Sequence, residues 1–403
     1  MQRKFRNENF VAIISLHTIN TSYRYVMAKQ ESILNPFSTT SYLGAAYFCD
    51  REKEVEALTD ALHNGRNVTL ISPRRIGKTG LIHHLFQSLD SKTSLCFYVD
   101  LFSTSNLQEF CKVFVEEVLA KRITPYSKRV ASEIIHMFGA LRPVFSVDPL
   151  TGMPQCKIDI QPTQEEWTIQ QIFAYLEKLE APCYVAYDEF QTIAEYKDVK
   201  MEALLRTYIQ QLHNVHFIFA GSKKHIMTDM FLSAKRPFYR STQMMHIDVI
   251  DEKTYYEFAS RHLAAHGQQI SEDTFHELYT LVSGCTWNIQ TLLNRLYQTG
   301  VQQIEHDTLQ TILNQILLEE QPSYQMYCRL ITDRQLQLLR AVAKEGTVAE
   351  IGSNKFMQKH LLGAQSTIRS AMLNLIEKEL MYQNDDGSYV VYEKFFGLWL
   401  KLH

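Results

Sequence analysis

The sequence predicts an α/β core with a parallel sheet, followed by a helical segment and a smaller C-terminal unit. Two apolar runs with strand character, at 67–71 and 94–101, are separated by a glycine-containing loop and a helical stripe. Further apolar runs at 184–187 and 215–220 each follow a helical pattern. Strands that alternate with helices are typical of a parallel sheet covered by helices. Beyond about residue 250 the pattern is helical only, which indicates a change of architecture.

The remaining elements of the core follow from local patterns. Asp50 has the residue type of a helix N-cap, and a stripe of Val55, Leu58 and Leu62 predicts a helix that ends near 64–65. Patterns of the same kind predict the following further elements: helices over 79–89, 107–139, 165–179 and 200–212, and a β-hairpin insert near 143–160 with its turn at 148–152.

The composition is that of a globular protein with more than one domain. The chain has 403 residues, of which 45% are apolar and 21% are charged, and its net charge is −3. This balance excludes a general electrostatic attraction to nucleic acid or acidic lipid. Seven cysteines without a CxxC pair argue against a disulfide framework and a zinc finger. The apolar run 10–16 is too short to cross a membrane, so we expect a cytoplasmic protein without membrane contact.

The strongest motif is the segment Ser72–Thr79, between a predicted strand and a predicted helix. It matches the phosphate-binding pattern G-x-x-x-x-G-K-[ST], with Ser72 in place of the first glycine. Backbone N–H groups at such a helix N-terminus surround a polyphosphate, and Gly77 allows the close approach. Lys78 would lie between the β- and γ-phosphates, and the Thr79 hydroxyl would bind Mg²⁺. The predicted ATP-binding residues are Ser72, Pro73, Arg74, Arg75, Ile76, Gly77, Lys78, Thr79 and Gly80.

A phosphate-binding loop predicts acidic partners on a neighbouring strand, and a strongly apolar run ends in Asp188 and Glu189. Asp188 is the predicted second Mg²⁺ ligand, acting through water, and Glu189 would polarise the attacking water. Ser222 follows the last predicted strand and would reach the same edge of the sheet, near the γ-phosphate or this water. Arg240 could supply a guanidinium to the γ-phosphate, in the same chain or in a neighbouring subunit. Ordinary roles stay open for both: a strand-to-loop turn for Ser222 and a solvated surface side chain for Arg240.

The order of these motifs resembles that of the archaeal-type ATPases of the AAA+/STAND clade, relatives of origin-recognition-type initiators. The resemblance begins with an F-x-x-R-E pattern at 48–52 and continues through P-R-R-x-G-K-T, an apolar strand with Asp-Glu and a strand ending in Gly-Ser. It implies a RecA-like P-loop NTPase core, a helical lid and a winged helix. By this resemblance the residues take the following roles: Lys78 and Thr79 in Walker A, Asp188 and Glu189 in Walker B, Ser222 as sensor 1 and Arg240 as an arginine finger.

Two residues depart from the family pattern, and the sequence has no clear sensor 2 arginine. Ser72 replaces the first Walker glycine, Trp287 stands where such lids carry a proline, and Arg295 is only a weak match to a sensor 2 arginine. The mixed polarity of residues 1–46, without a clear period, predicts a poorly ordered arm. The resemblance implies three further units: the P-loop core over 47–248, the helical lid over 249–320 and the winged-helix domain over 321–403.

The C-terminal unit has the pattern of a winged helix. Residues 366–375 resemble a recognition helix, and 381–383 and 389–392 predict two strands around an acidic turn. Region 321–403 contains ten basic and eight acidic residues, a charge of +2, which is far below that of a dedicated DNA-binding face. We therefore expect this unit to dock a protein partner or to pack internally, with DNA binding as the alternative.

These observations predict a Mg²⁺-dependent ATPase that acts as a conformational switch. ATP would join the core and the lid, hydrolysis would release them, and the winged helix would report the change to a partner. Two alternatives stay open. A nucleotide-locked regulator would bind ATP or ADP with little turnover, and a DNA-binding regulator would use its ATPase only secondarily. A homo-oligomer would allow Arg240 to act across a subunit interface.

Overall fold

A computed structural model describes residues 35–122, 141–147, 154–160, 165–197, 200–384 and 386–403. Three predictions lie wholly or partly outside these residues. They concern the following segments: the arm before residue 35, the second half of the helix predicted over 107–139, and the turn at 148–152.

A five-stranded parallel sheet forms the centre of the core, as the sequence predicts. The strands of the core, including a separate antiparallel hairpin formed by β3 and β4, are β1 Val68–Ile71, β2 Leu95–Asp100, β3 Leu141–Val147, β4 Pro154–Ile160, β5 Cys183–Asp188, β6 Val215–Gly221 and β7 Gln243–His246. Their order in the sheet is β2-β5-β6-β1-β7. The edge strand β7 was not predicted, because its sequence Gln-Met-Met-His is short and carries no β-branched residue.

Helices cover both faces of this sheet. They are α1 Glu52–His63, α2 Lys78–Ser88, α3 Leu107–Arg122, α4 Glu165–Glu177, α5 Met201–Ile209 and α6 Lys224–Leu232. The prediction of Asp50 as the N-cap of α1 is wrong, since Arg51 occupies the N-cap position with a φ of 82°. The Arg51 guanidinium is buried and donates to the carbonyl of Asp248 at 2.5 Å, so a long-range contact decides this helix start.

Side chains of alternate residues on β5 fill the apolar cores on the two faces of the sheet. Every residue of β5 is buried, as expected for a central parallel strand. Tyr187 packs against the rings of Phe110 and Phe217 on one face. Tyr184 belongs to the cluster on the opposite face, together with Leu81 of α2. Because side chains of β5 are buried on both faces of the sheet, the end of this strand has a defined position.

Helices dominate the second half of the chain. The predicted lid region contains α7 Glu252–Ala264, α8 Glu272–Leu281, α9 Thr286–Thr299 and the first part of α10 His306–Arg329, which continues across the predicted boundary at 320–321. It also contains two short parallel strands, β8 Gln269–Ile270 and β9 Gln303–Ile304. The prediction of helices alone therefore missed this strand pair, since two-residue strands leave no periodic signal.

The C-terminal unit contains the predicted recognition helix and strand pair. Its elements are α11 Asp333–Glu345, α12 Asn354–Lys359, α13 Gln365–Glu377, β10 Met381–Gln383, β11 Tyr389–Val391 and α14 Lys394–Leu402. One continuous apolar cluster joins it to the lid. Among the helices in the described ranges, none has the length and apolar character needed to span a bilayer.

Candidate functional site

Three neighbouring strands of the sheet end at the same edge, because β5, β6 and β1 are adjacent and parallel. Asp188 is the last residue of β5, Ser222 follows β6, and Ser72 follows β1. All three residues are buried. The carboxyl ends of strands in open α/β sheets form the crevice where ligands bind. The fold therefore brings together three residues that are far apart in the sequence.

The loop between β1 and α2 is shaped to receive an anion. Gly77 is the N-cap of α2 and has a φ of 105°, a conformation that favours glycine. Arg75 also has a positive φ, of 70°. In the described part of the chain, no side chain caps α2. The first N–H groups of this helix thus point toward the loop, and the helix dipole favours negative charge there.

Lys78 lies beneath this loop with 5% of its surface exposed. Its ammonium donates hydrogen bonds to the carbonyl oxygens of Ser72 and Pro73, at 3.0 and 3.1 Å, and to the Ser72 hydroxyl at 3.3 Å. Burial holds the pKa of Lys78 below its ordinary value, and the nearby carboxylates of Glu189 and Asp188 offset only part of this lowering. A phosphate would offer this ammonium a charged partner, which binds more strongly than the neutral oxygens of the loop.

The Asp188 carboxylate is held by hydroxyl groups from two neighbouring elements. The Thr79 hydroxyl of α2 donates to Asp188 Oδ2 at 2.6 Å, and the Tyr98 hydroxyl of β2 donates to the same oxygen at 2.7 Å. The other carboxylate oxygen accepts the backbone N–H of Glu189 at 3.0 Å. Asp188 therefore has a fixed orientation beside the residue that opens α2.

Glu189 has a left-handed backbone, with a φ of 52°, which turns its side chain toward β6. Its Oε2 accepts hydrogen bonds from the Ser222 hydroxyl, at 2.8 Å, and from the side-chain amide of Gln191. Gln191 is 2% exposed, and its own oxygen accepts the Ser222 backbone N–H at 3.3 Å. These contacts join the predicted base and the predicted sensor in one network.

The oxygen atoms around Thr79 fit the requirements of Mg²⁺. This ion prefers hard oxygen ligands, and nucleotide enzymes hold it with one or two carboxylates together with substrate phosphates. The Thr79 hydroxyl and the Asp188 carboxylate supply such ligands at the start of α2. Across the described residues, no group of three or more His, Cys, Asp or Glu side chains could hold a metal alone. We therefore expect a metal here to depend on the phosphates of a nucleotide.

A cavity of about 680 Å³ lies in front of the loop, within the size range of small-molecule sites. Its lining includes the polar or charged side chains of Lys78, Thr79 and Glu189 and the aromatic rings of Tyr42 and Trp287. A lining of this mixed chemistry suits a ligand with a phosphate end and an aromatic end.

Trp287 joins the lid to the loop. Its backbone N–H donates to the carbonyl of Arg75 at 3.0 Å, and its indole N–H donates to the carbonyl of Thr39 at 3.1 Å. The Arg75 guanidinium lies 4.1 Å from the centre of the indole ring. Trp287, which departs from the family pattern, thus makes three contacts with other residues that line the cavity.

The winged helix also contacts the loop. The backbone N–H of Arg74 donates to the Tyr392 hydroxyl at 2.8 Å, and the Arg75 guanidinium lies 3.3 Å from the Glu393 carboxylate. Tyr392 and Glu393 connect β11 to α14. Glu393 also accepts a hydrogen bond from Asn288 of the lid at 3.1 Å. Three parts of the molecule therefore meet at the loop.

Of the remaining predicted site residues, two line the cavity and two lie outside it. Ile76 and Gly80 line the cavity. Arg240 is exposed, and its described contacts are with Phe231 and Tyr239 rather than with the residues around Lys78. Arg295 pairs with an exposed glutamate of α10 at 2.7 Å and does not line the cavity.

Four residues that contact the loop or the acidic end of β5 were not predicted from the sequence: Tyr98, Gln191, Tyr392 and Glu393. Tyr98 lies within an ordinary strand pattern, and Tyr392 and Glu393 follow a wing strand more than 300 residues away from the loop. Only Gln191 had a local signal, because it lies two residues after the predicted base.

Two family models match the sequence. Residues 48–292 match the family described as "ATPase domain predominantly from Archaea", and residues 322–402 match the family described as "Probable winged helix domain". These matches confirm the family resemblance and the predicted fold. No curated protein matches the sequence.

Solved structures of similar fold cover nearly the whole chain. The Walker-type ATPase of Pyrococcus abyssi has 16% identity and a TM-score of 0.64, with 91% of this chain and 99% of that chain covered. The ORC2 protein of Aeropyrum pernix, in ADPNP–ADP complexes, has 12% identity and a TM-score of 0.55, with 91% and 97% covered. The ORC1 protein of the same organism, in complex with DNA, has 11% identity and a TM-score of 0.52, with 92% and 96% covered.

Proposed function

The chain belongs to the family of ATPase domains found predominantly in Archaea, and on this premise we propose that it is a Mg²⁺-dependent ATP hydrolase whose nucleotide state is transmitted to its winged helix. The observation that carries the proposal is the 2.6 Å contact between the Thr79 hydroxyl and the Asp188 carboxylate. This contact joins the phosphate-binding loop to the acidic strand, which is the pairing that phosphoryl transfer in P-loop enzymes requires.

The loop would bind the triphosphate. Lys78 would exchange its three loop oxygens for oxygens of the β- and γ-phosphates, and the N–H groups at the start of α2 would surround the β-phosphate. Thr79 and Asp188 would hold Mg²⁺, which neutralises the charge that develops on the phosphates. The aromatic rings of Tyr42 and Trp287, which line the cavity, would pack against the nucleobase.

Glu189 is the proposed general base. Its carboxylate lies at the end of β5, where it would orient the attacking water and accept its proton. The Ser222 hydroxyl and the Gln191 amide keep this carboxylate on the β6 side of the site. Ser222 would sense the γ-phosphate by redirecting its hydroxyl from Glu189 to a phosphate oxygen.

Coupling to the winged helix is supported by the contacts at the loop. The Tyr392 hydroxyl accepts a hydrogen bond from the backbone N–H of Arg74. A phosphate could accept a hydrogen bond from the same N–H. The Arg75 side chain is shared between Trp287 of the lid and Glu393 of the winged helix. A bound triphosphate would change the balance of these contacts, and the winged helix would move in response.

The main experiment measures ATP binding and phosphate release by the full chain. Lys78→Ala should abolish ATP binding, and Glu189→Gln should retain binding but lower the turnover rate by roughly 10²–10⁴-fold, the usual contribution of a general base. Lys92→Ala, at an exposed turn, is the matched control for the loss of a lysine. Unchanged ATP affinity in Lys78→Ala would overturn the proposal.

A nucleotide-locked regulator is the second candidate. It is favoured by the many contacts that already engage the loop, since Lys78, Arg74 and Arg75 each have partners within the protein. Such a protein would retain tightly bound nucleotide during purification and show no turnover that Glu189→Gln abolishes. Chromatography of the nucleotide released on denaturation would distinguish the two candidates.

The recognition helix supports a protein partner more than a DNA partner. The exposed residues of α13 near its start are mostly uncharged, and they are Gln365, Ser366, Thr367, Arg369 and Ser370. Leu373 on the same helix is 57% exposed. A DNA-binding face would carry more basic side chains that can contact phosphates. A steep salt dependence of duplex binding would favour the DNA-binding alternative.

An oligomer is the proposed setting for Arg240. Because this side chain is exposed and remote from Lys78 in the described contacts, it would act on a nucleotide only across a subunit interface. Light-scattering mass measured with ADP and with an ATP analogue tests this point. A monomer under all conditions would remove the role of Arg240.

A further inference from the structure

Arg74 lies between two groups from different parts of the molecule. Its Nε donates to the Ser222 hydroxyl at 3.3 Å, and its Nη1 lies 2.7 Å from the carboxylate of Glu379 in the winged helix. Ser222 in turn donates to Glu189 at 2.8 Å. The guanidinium is therefore next to the candidate hydrolytic network, while its charge is balanced by a residue of the C-terminal unit.

Glu379 occupies a backbone position that usually belongs to glycine. It follows the C-terminus of α13 with a φ of 53°. The N–H of Glu379 donates to the carbonyl of Ile376, and the N–H of Leu380 donates to the carbonyl of Leu375. This pattern is a Schellman motif, in which the left-handed residue is most often glycine. A strained residue with a specific side-chain contact is an indication of function.

We propose that Arg74 distinguishes ATP from ADP by exchanging Glu379 for the γ-phosphate, an inference that rests on the proposed ATPase function. Arginine binds carboxylates and phosphates with the same planar set of donors. The γ-phosphate would lie on the side of the site where Ser222 and Glu189 meet, because the attacking water approaches it from there. Arg74 already reaches Ser222, so only its second partner needs to change.

The exchange has room to occur. A cavity of about 630 Å³ separates α6 from the wing strands and is lined by Ser222, Lys224, Glu379 and Tyr392, among others. Glu379 and Arg74 have side chains that are 27% and 33% exposed. Movement of Glu379 away from Arg74 therefore requires no opening of an apolar core. ADP has no γ-phosphate and would leave the Arg74–Glu379 pair in place.

The test compares the affinities of the full chain for ADP and for the β,γ-imido analogue of ATP, each with Mg²⁺, by calorimetry. Arg74→Ala should weaken binding of the ATP analogue roughly ten- to a hundredfold, the range for a lost hydrogen bond to a charged group, and change ADP binding much less. Arg74→Lys keeps the charge without the planar donors and should restore only part of this preference. Arg66→Ala is the matched control: it removes an arginine that pairs with Asp60 and does not line the cavity, so it should leave both affinities unchanged.

Glu379 variants test the other side of the exchange. Glu379→Gln keeps the backbone strain and removes the charge, so affinity for the ATP analogue should rise several-fold while affinity for ADP stays the same. Equal effects of Arg74→Ala on both nucleotides, or no effect of Glu379→Gln, would overturn the inference. If the wild-type chain binds neither nucleotide, the proposed function itself fails. If it binds both through Lys78 without an Arg74-dependent preference, only this inference fails.

Discussion

A single oxygen of Asp188 accepts two hydroxyl groups, from Thr79 and from Tyr98. Binding of Mg²⁺ would divert the Thr79 hydroxyl, whereas the Tyr98 hydroxyl would continue to orient the carboxylate. Burial, followed by the charge of Asp188, raises the pKa of Tyr98 well above its usual range, so this phenol keeps its proton and stays a donor. We therefore expect Tyr98 to be a positioning residue that acts through Asp188.

Tyr98→Phe should raise the Mg²⁺ concentration needed for half-maximal turnover roughly tenfold, because a hydrogen bond to a charged group contributes about 1.5–3 kcal/mol. ATP affinity without metal should change little, since Lys78 and the loop are untouched. A Mg²⁺ titration of the turnover rate at saturating ATP measures the shift. Tyr184→Phe is the control, because Tyr184 is a buried tyrosine on the same face of the sheet whose ring contacts are with His63 and His216 rather than with Asp188. Equal Mg²⁺ dependence in both variants would contradict this role.

At the scale of elements, the end of β6 depends on close packing around Gly221. An added Cβ at this residue would lie 2.5 Å from the side-chain oxygen of Gln191 and 2.5 Å from the sulfur of Met227. Both neighbours are buried, so neither can move away at low cost. The glycine lets β6 approach the segment after β5 and brings Ser222 within reach of Glu189.

Gly221→Ala should lower the free energy of unfolding by about 1–3 kcal/mol, the usual cost of overpacking a core. It should also slow turnover, because Gln191 and Ser222 would shift away from Glu189. Urea denaturation and a phosphate-release assay measure the two effects. At Gly352, an added Cβ would meet only the side-chain amide of the exposed Gln365 at 3.1 Å, so Gly352→Ala is the control. Wild-type stability in Gly221→Ala would show that the β6 end is not tightly packed.

At the scale of the whole molecule, Glu393 connects the core, the lid and the winged helix. Its carboxylate contacts Arg75 at 3.3 Å and Asn288 at 3.1 Å, and it caps α14 by accepting the N–H of Phe396 at 2.5 Å. Tyr324 of α10 donates to it at 3.4 Å. Because these partners come from separate units, the charge of one side chain contributes to their relative position.

Glu393→Lys should release the winged helix from the loop, since two cations would then face each other. We expect a larger radius of gyration by small-angle X-ray scattering. The double variant Arg75→Glu with Glu393→Lys restores opposite charges and should recover the compact form, although the cap of α14 is still lost. A double variant as expanded as Glu393→Lys would assign the effect to the helix cap instead of the ion pair.

Much of the core was predictable because its signals are local. Apolar runs marked four of the five sheet strands, and the Gly77-Lys78-Thr79 sequence marked the phosphate-binding loop. The edge strand β7 and the start of α1 were not predictable in this way. The first has little strand propensity, and the second depends on the contact of Arg51 with Asp248.

By itself, the sequence determined the kind of protein: the parallel core, the loop for phosphate, the acidic end of β5 and the winged helix. Residues that are adjacent in the chain carry each of these features, so periodicity and spacing reveal them. Only the tertiary structure decided which distant residues come into contact, as Tyr98 does with Asp188 and Glu379 does with Arg74. Such pairs form when packed elements bring side chains within bonding distance, and no local pattern in the chain encodes that distance.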